Sequence, residues 1–422
     1  MNSLSRRTFL GGLGAGAAMV ALGACGGGED SGAISWWHIQ NTPPLLPIWE
    51  DLAKKYQQQH SGVTFDIQPI ENEAFKARLT TVTQSGDAPD IFQTWGGGVL
   101  RQQIEAGLVK DITADIRSWR DTIVPTAFNA YEFDGKTYAV PYDVGMVGFW
   151  YNRTLFGKAD ITTPPATWAE LLDAVRVLKS AGVTPIALAG GAKWPGHYYW
   201  TYLAMRVAGV DGLKKAEADK DFSGAEFVRA GTLLKELVDL QPFQNGFLGA
   251  KYDGPDGQAA VMGNGQAAME LMGQWGPTQQ REQSGKGLGD DVAFFPFPSV
   301  AGGRGRTSDI MGGGGGFAVG HDAPPEAVDF LKFLVSLNNQ RREAATGALL
   351  PVTKGAEDGI SDENQKTVAA TVAGATGFQL YLDQAYAPSV GQTVNDSVAS
   401  LIAGQMSAED VAKAVTESAQ NA

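Results

Sequence analysis

From Ala33 onward the chain alternates short apolar runs, closed by glycine or proline, with longer stretches whose apolar residues recur at helical spacing. Ala33 to Trp37 reads as a strand. After Pro43-Pro44, residues Leu45, Leu46, Trp49, Leu52, Ala53 and Tyr56 share one helical face up to His60. Val63 to Gln68 predicts the next strand, followed by a helix with Phe75, Leu79 and Val82 inward. Thr167 and Glu170 form a capping box opening a helix that runs to Gly182; Ser223 with Glu226 and Ser407 with Asp410 mark two further helix starts. Val292 to Phe297 reads as a strand, and the chain beyond about Leu350 as mostly helical. The alternation predicts an α/β fold of sheets flanked by helices, and 422 residues exceed what one core usually supports, so two domains are expected. No repeat of 20 to 50 residues is present.

In open α/β sheets ligands bind beyond the carboxyl ends of strands, and aromatic residues collect there. Trp37 and His38 open the first such loop, which continues Ile39-Gln40-Asn41-Thr42. Trp95 follows the short run Ile91 to Thr94 and is itself followed by Gly96-Gly97-Gly98. Trp194 follows Gly190-Gly191-Ala192-Lys193, Trp275 sits in a Gly273-Gln274-Trp275-Gly276-Pro277 turn, and Tyr386 lies in the last segment. Flat apolar faces on equivalent loops suit the CH-bearing faces of pyranose rings. Gln40, Asn41, Asp143 and Lys193 would supply the hydrogen bonds that hydroxyls require. The alternative is that these rings are core, which is the expectation for Trp49 and Trp150, inside a helix and a strand. Gly96 beside Trp95, Glu71 in the second strand-to-helix loop, and Gly313 complete the candidate ligand-binding set. Gly312 to Gly316 lacks the Gly-Lys-Ser/Thr of a phosphate loop and leads into a strand, so it reads as a hinge or a close backbone approach to ligand.

Other chemistries find little support. No Gly-x-Ser-x-Gly elbow or His-Glu-x-x-His is present, and the four histidines, His38, His60, His197 and His321, are scattered singly, so no metal or cofactor is expected. A glycosidase needs two carboxylates roughly 5 to 10 Å apart, and no acid/base motif stands out. Asp87 and Asp90 read as turn residues bonding local backbone. A formal charge of −13 without Lys/Arg clusters argues against nucleic acid or a membrane-binding surface.

The N-terminus carries an address. Ser5-Arg6-Arg7-Thr8-Phe9-Leu10 has the form of a twin-arginine export signal, and Gly11 to Ala24 is apolar but too short and weakly hydrophobic for a permanent span. Leu22-Gly23-Ala24-Cys25 looks like a bacterial lipobox, which makes residues 1–24 a signal peptide and Cys25 the lipidated first residue of the mature chain. Cys25 is the only cysteine, so no disulfide is expected. Residues 25–32 then read as a tethered, flexible start.

Several of these motifs occur together in one family. Gly265-Gln266-Ala267-Ala268-Met269 followed by Gly273-Gln274-Trp275, the run Gly86-Asp87-Ala88-Pro89-Asp90-Ile91, and Pro165-Ala166-Thr167-Trp168-Ala169-Glu170 resemble the family 1 extracellular solute-binding proteins, receptors of sugar ABC importers. The resemblance covers nearly the whole mature chain. It implies a two-lobed binding-protein fold with a hinge of crossing segments, lobe 1 from 33–140 plus 291–345 and lobe 2 from 141–290 plus 346–422. It also implies a non-enzymatic monomer that delivers an oligosaccharide to ABC permease subunits, held at the membrane through Cys25. Trp194 and Trp275 match positions that contact sugar in maltose-binding-type proteins, and His38, Gln40 and Asn41 fall in a loop that does the same. The chain departs from that pattern by placing Trp95-Gly96-Gly97 where a charged Asp-Arg pair follows the Pro-Asp strand, which speaks against maltodextrin. The loop Trp37-His38-Ile39-Gln40-Asn41-Thr42-Pro43-Pro44 is similar to xylobiose-type receptors of actinobacteria, implying a β-linked di- or oligosaccharide. Receptors for maltodextrin, chitobiose, iron or a phosphorylated polyol, and a lipid-anchored glycoside hydrolase, stay open at this point.

Overall fold

The computed structural model describes residues 32–422; the Arg6-Arg7 signal, Cys25 and nearly all of the tether lie outside the described residues. Two sheets build two lobes. In the first the strand order is Phe65–Pro69, Ile34–His38, Ile91–Thr94, Gly316–Val319, Ala139–Pro141, with the first three parallel and Gly316–Val319 antiparallel to both its neighbours. Successive strand residues point to opposite faces. Ile34, Trp36, Ile91, Phe317 and Val319 therefore meet the helices Leu45–Gln59 and Pro325–Leu334 in one core, while Phe92, Ala139 and Ala318 meet Phe75, Leu79 and Leu100 in another. The inner strands Ile91–Thr94 and Gly316–Val319 are buried on both faces, while the edge strand Phe65–Pro69 alternates apolar and polar residues and stays partly exposed.

The second lobe orders its strands Val292–Phe295, Gly148–Asn152, Ala267–Met272, Thr184–Ile186. Against it pack the helices Trp168–Ser180 and Trp194–Ala208, the latter buried along its whole length. Trp49 and Trp150 are fully buried, as expected of core residues; their indole nitrogens donate to Glu343 Oε1 and the Gly273 carbonyl, each at 2.8 Å. The capping boxes at Thr167/Glu170 and Ser407/Asp410 are both formed. At the third expected start the cap is instead Gly224, because the Ser223 hydroxyl bonds Asp221.

The lobe boundaries differ from those expected. Val292–Phe295 pairs antiparallel with Asn152–Phe149, so residues from 291 onward stay in the second lobe until the chain crosses at Gly313–Gly316. Residues 346 to about 352 stay with the first lobe, where Leu349 and Val352 pack, and the helix Glu363–Ala373 is the first element back on the second. Pairing between distant strands, invisible to local periodicity, sets both boundaries. The third crossing is Tyr142–Val144, whose amides donate to the Gly315 and Leu350 carbonyls. A small sheet of Gly377–Leu380, Asp309–Gly313 and Gly145–Met146 braces the crossings; its strand Gly377–Leu380 lies in a stretch expected to be helical.

Candidate functional site

Between the lobes, over the crossing segments, lies a cavity of about 670 Å³, inside the roughly 300–1,000 Å³ range of small-molecule sites. The first lobe contributes Gln40, Asn41, Glu71, Lys76, Gln93 and Trp95, and the second contributes Trp194, Tyr198, Tyr252, Asp253, Trp275, Tyr381 and Asp383. Tyr142, Asp143, Gly314 and Gly315 form the floor.

Each lobe's aromatic group is held from behind. Trp95 leaves the strand end and rests edge-on against Phe75, ring centroids 6.0 Å apart. Trp194 opens its buried helix and makes edge contacts with Tyr252 at 5.2 Å and Tyr198 at 5.5 Å; Tyr198 stacks on Tyr381 at 5.6 Å, and Tyr381 meets Trp275 edge-on at 6.3 Å. Below Trp275 the buried Glu270 accepts from Gln258 Nε2 at 2.9 Å and Gln280 Nε2 at 2.7 Å. Gln258 in turn accepts from the Ala189 amide, tying the Trp194 and Trp275 loops together. Burial pushes Glu270 up to about 7, against the pull of its two hydrogen bonds.

Polar groups converge on the floor. Tyr142 donates to Gln93 Oε1 at 2.9 Å and also engages Gln40. Asp143 accepts from the Leu350 amide at 3.0 Å and from Gln274 Nε2 at 2.9 Å, linking a crossing segment to the Trp275 turn. Burial holds Asp143 well above the carboxylate range despite those bonds. The glycines beside it are required by crowding: a Cβ on Gly314 would lie 1.8 Å from the Asp143 carbonyl, and one on Gly315 2.1 Å from the Tyr142 hydroxyl. Among the described residues, Gln93 Nε2, Trp194 Nε1 and Tyr381 Oη have no hydrogen-bond partner although buried. Across the cleft mouth Asp253 is raised to about 6, first by burial and then by the charges of Glu71 and Glu73 on the other lobe.

Seven of the residues singled out from sequence, Gln40, Asn41, Glu71, Trp95, Asp143, Trp194 and Trp275, line this one cavity. Five do not. His38 shares the strand face of Trp36, because they are two residues apart, and is fully buried between Trp36 at 4.8 Å and Trp49 at 4.9 Å; burial drives its imidazole down to about 3. Its neighbour Trp37 faces the other way and carries the Arg78 guanidinium over its ring at 3.6 Å. Gly96 has φ +77 and abuts the Ala130 backbone, Gly313 packs on the Tyr381 ring, and Lys193 turns outward to Asp396 at 2.6 Å. Tyr386 points into the second-lobe core against Phe222. Asp90 accepts from the amide and hydroxyl of Ser35 on the adjoining strand, both at 2.8 Å, rather than from its own turn. Lys76, Tyr142, Tyr198, Tyr381 and Asp383 are cavity residues that sequence reasoning passed over. The helical pattern that puts Phe75 inward also puts Lys76 beside it, which was the one available signal.

Two α/β lobes closing on an aromatic cleft over crossing segments define the two-lobed binding proteins. The chain belongs to the bacterial extracellular solute-binding protein family, whose model matches residues 41–341. It is 25% identical over 405 residues to a probable sugar-binding periplasmic protein of Mesorhizobium japonicum, covering 91% of each chain. An uncharacterised ABC transporter extracellular-binding protein of Pyrococcus horikoshii is 24% identical over 400 residues, covering 90% of this chain and 85% of that one. Among solved structures, one from work on xylan utilization by the thermophile Caldanaerobius polysaccharolyticus superposes with a TM-score of 0.85 at 27% identity, over 91% of this chain and 99% of that one. A chitin oligosaccharide binding protein superposes with a TM-score of 0.84 at 24% identity, over 92% and 98%. Among the described residues no helix is long and apolar enough to cross a membrane.

Proposed function

We propose that this protein is the receptor of an ABC importer and that it binds a β-linked di- or oligosaccharide, of the xylobiose type, between its lobes. The observation that carries the reading is the pairing of Trp95 on one wall with Trp194 and Trp275 on the other, around a floor of amide, hydroxyl and carboxyl groups. Aromatic faces take the apolar faces of pyranoses, and buried donors without partners among the described residues, such as Trp194 Nε1 and Tyr381 Oη, suit hydroxyl acceptors. The xylan and chitin contexts of the two structural neighbours agree with a β-linked glycan.

The mechanism is hinge closure about the three crossing segments. Sugar stacks on one lobe, and the closed arrangement is selected because only there do both lobes touch it. Micromolar affinity corresponds to about −8 kcal/mol, within reach of two or three stacked rings and several hydrogen bonds after ordering costs. The closed monomer then docks on the permease, with lipidated Cys25 keeping it at the outer face of the cell membrane.

Thermal-shift titration of the mature, unlipidated protein against xylobiose, cellobiose, chitobiose, maltose and glycerol phosphate tests the reading. Stabilisation by several degrees with one β-linked sugar, without turnover, is expected. No response to any sugar defeats the assignment, and release of monosaccharide would turn the cleft carboxylates into candidate catalysts.

A further inference from the structure

His197 lies one turn into the helix Trp194–Ala208, is fully buried, and is no part of the cavity wall. Two neighbours face its ring nitrogens. The Thr201 hydroxyl lies 2.9 Å from the His197 carbonyl and 3.1 Å from Nδ1, so Nδ1 is served whichever of the two groups supplies the hydrogen. On its other side Nε2 stands 3.4 Å from Asp383 Oδ1, close but without the alignment of a formed hydrogen bond. A bare ring nitrogen there would set a lone pair against a carboxylate in a buried place, where such repulsion is poorly screened. Nε2 therefore calls for a hydrogen, turned toward Asp383.

Asp383 does line the cavity, with only 9% of its side chain exposed. Burial alone would raise its carboxyl, but the contact with His197, the charge of Lys76 and a hydrogen bond from Gln384 hold it well below the usual range. Lys76 comes from the opposite lobe, its ammonium 5.8 Å from the ring centres of both Trp95 and Trp194. A fixed anion on one wall and a cation on the other thus face the gap between the indoles.

We propose that His197 is a positioning residue for ligand binding: paired behind Asp383, it keeps that carboxylate charged and turned to the cleft. There Asp383 accepts from one sugar hydroxyl while Lys76 donates to its neighbour. The inference rests on the sugar reading for its ligand but not for the state of the pair. Because the two groups belong to different lobes, they can share one ring only when the lobes approach, which gives the ligand a differential contact with the closed state.

The test joins nitrogen-15 NMR of the histidine-labelled mature protein, without ligand, to calorimetric titration with xylobiose. The expected result is a hydrogen held on His197 Nε2 in the wild type and an altered Nε2 signal in Asp383→Asn. Affinity should fall at least about tenfold in His197→Gln and in Asp383→Asn, with no further loss in the double variant, because His197 acts through Asp383. A bare Nε2 in the wild type, full affinity in H197Q, or additive losses in the double variant would overturn the proposal. Should H197Q fail to fold, the NMR comparison of wild type with D383N still decides it. A wild type that binds no sugar defeats the sugar reading, and the NMR then reports on the pair separately.

Discussion

Gly98 stands where the first lobe touches the second, away from the cavity wall. A Cβ there would lie 2.3 Å from the Tyr386 carbonyl oxygen, 2.4 Å from its carbon and 2.8 Å from the Ala387 nitrogen. Ordinary contact needs about 3.5 Å, so Gly98→Ala forces the two segments apart by on the order of 1 Å. The substitution is clean because Gly98, unlike Gly97 at φ +64, has an ordinary backbone conformation, and in the helix Gly97–Glu105 alanine is intrinsically better than glycine. First-lobe stability is therefore preserved while the lobes-together state loses about 1–3 kcal/mol, the usual cost of overpacking. If sugar binds only that state, affinity falls by at most that amount, roughly 5- to 150-fold, and by less to the extent that the ligand-free protein already holds its lobes together. Titration calorimetry reads the affinity, and small-angle scattering reads the lobe separation, which should grow in the ligand-free variant. Wild-type affinity together with wild-type scattering would refute the idea that this contact belongs to the binding-competent arrangement.

Three further outcomes follow from the same geometry. Trp275→Ala, at a half-buried ring on the cavity wall, should lower sugar affinity by about 2 kcal/mol, near thirtyfold, with the fold retained by circular dichroism; collapse of the fold would make the ring a core element. Glu270, raised by burial from its ordinary 4.5 to about 7, favours the folded state most below pH 4.5, and that contribution is lost as pH rises through 7. It amounts to on the order of 3 kcal/mol at most. Glu270→Gln, with the Gln280 amide turned so that its oxygen accepts, should flatten this alkaline limb in denaturant unfolding measured across the window; an unchanged slope would contradict the assignment. His38, depressed from 6.5 to about 3 by burial and without a hydrogen-bond partner on either nitrogen among the described residues, is neutral in the fold, so its contribution is full above 6.5 and declines as pH falls toward 3. His38→Phe should remove that acid limb and leave sugar affinity intact; loss of affinity would return His38 to the binding site.

What the sequence discloses is what local chemistry dictates. Capping at Thr167 and Ser407, the inward faces of the helices at Leu45 and Phe75, and the glycine-edged turns presenting Trp95, Trp194 and Trp275 depend on residues near one another in the chain, and all are legible. The errors come where partners are distant or where a strand's last residue could point either way. His38 sits at a strand end, where loop and strand compete, and the period of two carries it inward with Trp36. Tyr386 looks like one more aromatic turn, yet only the backbone contact with Gly98 involves the cleft side, and its ring packs against Phe222. The strand Gly377–Leu380, with Phe378 exposed, has no apolar run to announce it; its parallel pairing with Asp309–Gly312 is a tertiary event, and it is what delivers Tyr381 and Asp383 to the cavity.

The central claim, that a sugar lies between the lobes against aromatic faces from both, is tested most directly by a crystal structure of the mature protein grown with xylobiose. The account predicts pyranose rings against Trp194 and Trp275 with Trp95 closing from the opposite lobe, and hydroxyls within hydrogen-bond distance of Asp383 and Lys76. A xylobiose bound elsewhere on the surface, or an empty cleft at saturating sugar, would contradict it.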